Sequence, residues 1–194
     1  MILGYIMRLI SLFAAAAVST TVVLTGCNST ETKTAEASPA PTKVAEAAPA
    51  MTIFESHDHG RIHQFYDQKT FDSYNSVGET AYRLTRIGAG PNGETVVFGL
   101  PKADKKKGSN TPAAMLWDGK SEVGAFYGEM HKHNRIYVFS EKADMDFVRK
   151  IGEPSFMFTE IGSGPKGETV VYVLNKQNKK KKPTDLIAKF KSFH

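Results

Sequence analysis

Two short segments of this 194-residue chain place side chains where they could act together: Glu55, His57 and His59, then Glu129, His131 and His133. Both have the form Glu-x-His-x-His. Alternate residues of an extended strand share a face, so each segment would present one carboxylate and two imidazoles side by side. Zinc and copper(II) take such nitrogen and carboxylate ligands. The competing reading is the wet face of a hairpin, where Glu, His and Arg are ordinary residents. His59 and His133 fall where a tight turn is expected, and His63 is matched by Tyr137 instead of a third shared histidine. Met115, Met130, Met145 and Met157 recur at no ligand spacing and read as core filler.

A second candidate is a glycine pattern. Gly88, Gly90 and Gly93, and later Gly162, Gly164 and Gly167, both satisfy G-x-G-x-x-G. In a dinucleotide site a helix follows that pattern and points its N-terminus at the pyrophosphate. Here Glu-Thr-Val-Val-Phe and Glu-Thr-Val-Val-Tyr follow, and such β-branched runs are strands, so the pattern reads as a hairpin loop. Adjacent amides in a glycine loop can still cradle an anion, which keeps these six glycines as ligand-binding candidates. Glu94 and Glu168 recur beside the loops, as do Glu79 and Glu153. Two such acids could flank a glycosidic bond, making a glycan hydrolase an alternative function. No serine sits in a G-x-S-x-G elbow, and the expectation is a protein that is not an enzyme.

Every one of these features comes in pairs because the chain repeats itself after 74 residues. Residues 55–107 align without a gap on residues 129–181, with 24 identical positions. In each copy, two strands around a turn at 59–60 or 133–134 are followed by a helix over 67–77 or 141–151, with Phe71, Tyr74 and Val77 matched by Met145, Val148 and Ile151. Gly78 and Gly152 stop these helices. A second hairpin follows, over 82–87 with 95–100 and over 156–161 with 169–174. Thr111-Pro112 and Thr184-Asp185 open last helices, with Leu116 and Trp117, or Leu186, Ile187 and Phe190, as apolar faces. The expected fold is therefore α+β: two tandem ββαββα repeats of about 74 residues, over 51–120 and 121–194, related by a pseudo-twofold axis. Each unit alone is too small for a good core.

The first residues predict a cellular address. One Arg8, the apolar run LISLFAAAAVSTTVVL and no acid before Cys27 form a secretory signal, with Met7 as an alternative start. Leu24-Thr25-Gly26-Cys27, which holds the only cysteine, resembles the lipobox of bacterial lipoproteins. That resemblance implies removal of residues 1–26 and lipidation of Cys27, whose acyl chains hold the protein at a membrane. Asn28 stands where those lipoproteins carry an inner-membrane retention aspartate, so it also implies the outer membrane of a Gram-negative cell. Residues 27–50 are then the lipidated cysteine and a flexible tether rich in Ala, Pro and Thr, with too few large apolar residues to order themselves and with Pro39, Pro41 and Pro49 to break any long helix.

The runs HGRIHQFYDQKTFDSY and HNRIYVFSEKADMDFV resemble the hairpin-then-helix layout of YHS and TRASH-type metal modules, over about twenty residues per copy and without their cysteines. Lysines 105–107 and 179–182 occupy matching loops. Such runs are ordinarily solvated loops that resist edge aggregation; outside the cytoplasm a binding role would point to anionic envelope components or another envelope protein instead of nucleic acid, and no aromatic residues interleave with them to stack bases. The sequence thus leads to a lipid-anchored binding or scaffolding module with no cofactor. Its first rival is a periplasmic zinc- or copper-binding protein using Glu55, His57, His59, Glu129, His131 and His133.

Overall fold

Ile53 and Phe54 are neighbours in strand β1 (Met51–Asp58), yet both are fully buried. Successive strand residues point to opposite faces, so both faces of β1 are covered and the strand lies inside a sheet. The computed structural model describes residues 48–194 and shows why. The expected signal peptide, Cys27 and most of the tether lie outside the described residues.

After β1 come β2 (Arg61–Phe65), α1 (Gln68–Val77), β3 (Arg83–Arg86), β4 (Thr95–Gly99) and α2 (Pro112–Trp117). Then follow β5 (Phe126–Lys132), β6 (Arg135–Phe139), α3 (Lys142–Ile151), β7 (Phe156–Glu160), β8 (Thr169–Leu174) and α4 (Thr184–Lys191). The fold is mixed α+β. All eight strands join one sheet in the order β3-β4-β2-β1-β5-β6-β8-β7. Hairpin pairs are antiparallel, whereas β2 with β4, β1 with β5 and β6 with β8 are parallel.

One face of the sheet, carrying Ile53, Ile62, Val96, Phe98, Met130, Tyr137, Val171 and Val173, packs on α2 through Ala113, Ala114 and Leu116 and on α3 through Met145 and Val148. The other, carrying Phe54, Phe65, Tyr127, Ile136, Val138, Val170 and Tyr172, packs on α1 through Phe71 and Tyr74 and on α4 through Ile187 and Phe190. Among the described residues no helix is long and apolar enough to cross a membrane.

Local chemistry sets the helix ends. Asp67 caps α1 by accepting a hydrogen bond from the Thr70 amide at 2.8 Å, and Gly78 closes it at φ 84°, a left-handed conformation that glycine adopts without strain. Val77 and Ile151, expected on the apolar faces, are instead 73% and 61% exposed. Each ends its helix one residue before the glycine cap, where the chain turns away from the sheet.

The strand directions gather the connections at two ends. The 59–60 and 133–134 turns and both glycine loops lie at one end. The starts of β1 and β5 and both lysine runs lie at the other.

Candidate functional site

The two Glu-x-His-x-His segments do not meet. In the parallel register of β1 and β5, Glu55 stands opposite Met130 and Glu129 opposite Phe54. This one-residue offset puts Glu55 and Glu129 on opposite faces of the sheet. His59 and His133 take positive φ, 47° and 52°, in the tight turns themselves, and His59 is exposed, reaching only Asp58. Positive φ at both central positions, 59–60 and 133–134, is the type I′ hairpin turn, so backbone geometry uses these histidines. Among the described residues no group of three or more His, Cys, Asp or Glu is arranged to hold a metal ion.

Each buried glutamate has acquired partners that the sequence did not reveal. On one face Glu55, fully buried, accepts hydrogen bonds from Gln64 at 2.7 Å and from Arg149 of α3 at 2.6 Å, and lies 3.1 Å from His57. Burial alone would push its carboxyl up, but the Arg149 guanidinium and His57 outweigh it and hold the carboxyl at about 2. Arg149 also stacks on Trp117 of α2, 4.7 Å from the ring centroid.

On the other face Glu129 meets His131 at 3.3 Å and His194 at 3.0 Å, and accepts from the Tyr127 hydroxyl. Burial opposes ionisation of Glu129, but these bonds hold its carboxyl below the ordinary range. The bond to Glu129 raises His194 against the effect of burial.

These opposite shifts define a pH window. The Glu129 contribution is present above its ordinary value of 4.5 and fades as pH falls through the lowered one. The His194 contribution is present below 6.5 and fades as pH rises through the raised one. His194→Ala is therefore expected to cost roughly 1–2 kcal/mol between those values and less at alkaline pH. Urea unfolding of both proteins across that range checks this, and a difference that grows above neutrality contradicts it.

The glycine loops bind their own side chains. Glu94 accepts from the Asn92 amide at 2.8 Å and Glu168 from the Lys166 amide at 2.7 Å, so each loop already holds a carboxylate where an anion would sit. Gly88, Gly93, Gly162 and Gly167 all have φ between 67° and 84°. A Cβ on Gly90 or Gly164 would collide with Glu94 or Glu168. Turn geometry thus accounts for all six glycines. Glu94 and Glu168 precede β4 and β8, five strand spacings apart, roughly 24 Å. Carboxylates that cleave one glycosidic bond lie about 5–9.5 Å apart, so these two cannot share one.

A cleft of about 450 Å³ opens elsewhere, between α1 and the β2, β4 and β3 strands. His63, Thr95 and Val97 line it from the sheet, Tyr74 from α1 and Thr80 from the segment after it, with Arg61, Arg83, Asp58 and Glu79 exposed along it. The His63 ring stacks on Tyr74 with centroids 4.7 Å apart, and its Nδ1 is buried without a hydrogen-bond partner. Burial, then the Arg61 charge, hold the imidazole below its ordinary value, favouring the neutral form.

The aligned positions in the second copy are closed. Tyr137, in place of His63, donates to Glu153 at 3.1 Å, and Arg135 pairs with the same carboxylate at 3.2 Å. In the first copy Glu79 reaches only Arg83, at 3.7 Å. The exchange of histidine for tyrosine, visible in the sequence, was the one signal of this cleft. Arg61 is identical in both copies and gave none.

Comparison with known proteins found no matching family model, no matching curated protein and no matching solved structure.

Proposed function

We infer that the chain is a lipid-anchored, non-enzymatic binding module of the cell envelope, and that its ligand is a small anion held in the His63 cleft. The observation that carries the ligand reading is the contrast between the copies. Arg135, Tyr137 and Glu153 bond to one another, whereas among the described residues the two acids lining the cleft, Asp58 and Glu79, pair with His59 and Arg83 and leave Arg61 and His63 without a bonded carboxylate. Two guanidiniums supply forked donors for a carboxylate or phosphate, the threonine hydroxyls add further donors, and the volume suits a small organic ligand.

A tandem ββαββα duplication accounts for this contrast. Read from either edge inward, the strands run β3-β4-β2-β1 and β7-β8-β6-β5, which supports a pseudo-twofold axis lying along the strands between β1 and β5. Such an axis exchanges the two faces of the sheet. Equivalent residues then sit on opposite faces, and one copy is free to change while the other keeps the packing. The N-terminal lipobox resemblance supplies the membrane anchor in this reading.

Isothermal titration of the 48–194 fragment with inorganic phosphate and citrate tests the site. Arg61→Ala with Arg83→Ala is expected to weaken binding by at least about tenfold, the effect of losing a charge-assisted pair. Arg135→Ala should leave it unchanged. Absence of binding to either probe, or equal loss with Arg135→Ala, removes the cleft from the reading.

A further inference from the structure

We propose that the end of the sheet at which β1 begins is a docking surface for an anionic lipid bilayer, with the lysine runs 105–107 and 179–182 as its headgroup contacts. The two runs follow β4 and β8, which are both parallel to the second strand of their hairpin. They therefore emerge at the same end as the starts of β1 and β5. Chain direction alone brings seven lysines, three and four, to one end of the molecule. The chain enters between them, fixed by the hydrogen bond from the Met51 amide to the Ala125 carbonyl at 2.8 Å. The strands that lead into the runs, β4 and β8, lie two and three strand spacings from β1, roughly 10 and 14 Å, one on each side.

All seven lysines are exposed. Among the described residues only Lys107 has a carboxylate within salt-bridge distance, Asp104 at 2.7 Å. Aligned contacts hold the two loops in place: Lys105 lies over the Tyr82 ring at 5.4 Å and Lys179 over the Phe156 ring at 4.1 Å. Among the described residues Lys106, Lys180 and Lys181 make neither a ring contact nor an ion pair. Lysines often protect an edge strand from pairing with another chain. Lys179 and Lys182 do lie over Phe156 and Phe158 of edge strand β7, at 4.1 and 5.3 Å, but both runs lie in loops beyond the ends of the inner strands β4 and β8, and edge protection gives no role to Lys106, Lys180 and Lys181. Asp104, Glu122 and Asp185 share this end with the runs, and the opposite end differs in carrying no lysine run. It mixes Asp58, Arg61, Glu94, Lys132, Arg135 and Glu168 and exposes Ile87 and Ile161.

The setting comes from the lipid-anchored reading, on which this inference rests only for its membrane. Twenty residues, 28–47, separate Cys27 from the described region, and a chain of that length reaches at most ~70 Å. The tether joins the folded region at its basic end, beside the start of β1. An acyl anchor and a polybasic patch act together, and each lysine near an anionic surface raises partitioning by roughly fivefold.

Both cores are built from residue 53 onward, so the 48–194 fragment contains the whole fold while lacking Cys27. Flotation of this fragment with vesicles of phosphatidylglycerol and phosphatidylcholine in equal parts is expected to show binding that falls as sodium chloride is raised. Pure phosphatidylcholine vesicles should capture little. Replacing all seven lysines by glutamine should reduce binding at least tenfold without changing the circular dichroism spectrum, whereas Ile87→Ser with Ile161→Ser should have no effect. Equal capture by both vesicle types, insensitivity to the lysine substitutions, or binding to heparin without flotation overturns the proposal. Because the fragment carries no anchor, these outcomes do not depend on lipidation of Cys27. Loss of flotation with Arg61→Ala instead of the lysine variant would assign the contact to the cleft and also overturn it.

Discussion

Arg149→Ala is expected to destabilise the folded region by about 3–5 kcal/mol, the range for removing one partner of a buried ion pair. Glu55 is fully buried on β1, and Arg149 brings its charge from α3 while stacking on Trp117 of α2. One side chain thus joins elements from both copies of the repeat. Without it, burial dominates Glu55 and its carboxyl rises. In the wild type, the lowered carboxyl adds stability above 4.5 that is lost as pH falls toward 2. In the variant a raised carboxyl gains stability on protonation, so the two proteins should converge as pH falls. Adding Glu55→Gln to Arg149→Ala removes the buried charge and should restore part of the loss at neutral pH. Urea denaturation at neutral and acid pH measures both effects, and a difference independent of pH would show that lost packing, not charge, is responsible.

On the opposite face, Phe54→Ala is expected to cost about 3–5 kcal/mol through the cavity it leaves. Phe54 stacks on Phe71 of α1 with ring centroids 5.0 Å apart and meets Phe193 edge-on at 5.4 Å and Tyr127 at 6.5 Å. Removing it takes contacts from helix α1, strand β5 and the segment after α4 at once. Of its ring partners only Tyr127 is ionisable, and burial and Glu129 hold that hydroxyl above its ordinary value, so this loss should be nearly the same at acid and neutral pH. Calorimetric unfolding of Phe54→Ala beside Arg149→Ala tests the distinction. A Phe54→Leu variant should recover much of the stability, since it refills most of the volume.

Much of the local structure was legible because it depends on short-range chemistry. Asp67 and Gly78 marked the two ends of α1, the 59–60 and 133–134 turns lay where hairpins were expected, and the β-branched runs after the glycine loops formed strands. Val77 and Ile151 misled because spacing defines a helix stripe but not how far the sheet extends beneath its last turn. The candidate metal set misled for a similar reason. Within one segment the alternation was correct, and Glu55 and His57 do share a face. The relation between segments was not local.

The sequence by itself determined most of the elements and the face that each glutamate shares with its near histidine, because φ preferences, caps and period-two alternation act within a few residues. Only the tertiary structure decided which of those groups meet. The one-residue offset between β1 and β5 sent Glu55 to Arg149 and Glu129 to His194, and left the two glutamate-histidine pairs on opposite faces of the sheet. Strand direction set both lysine runs beside the start of β1, and the exchange of Tyr137 for His63 became an open cleft only once α1 lay beside it. Register and chain direction are properties of strands paired across long sequence separations, and no local preference encodes them.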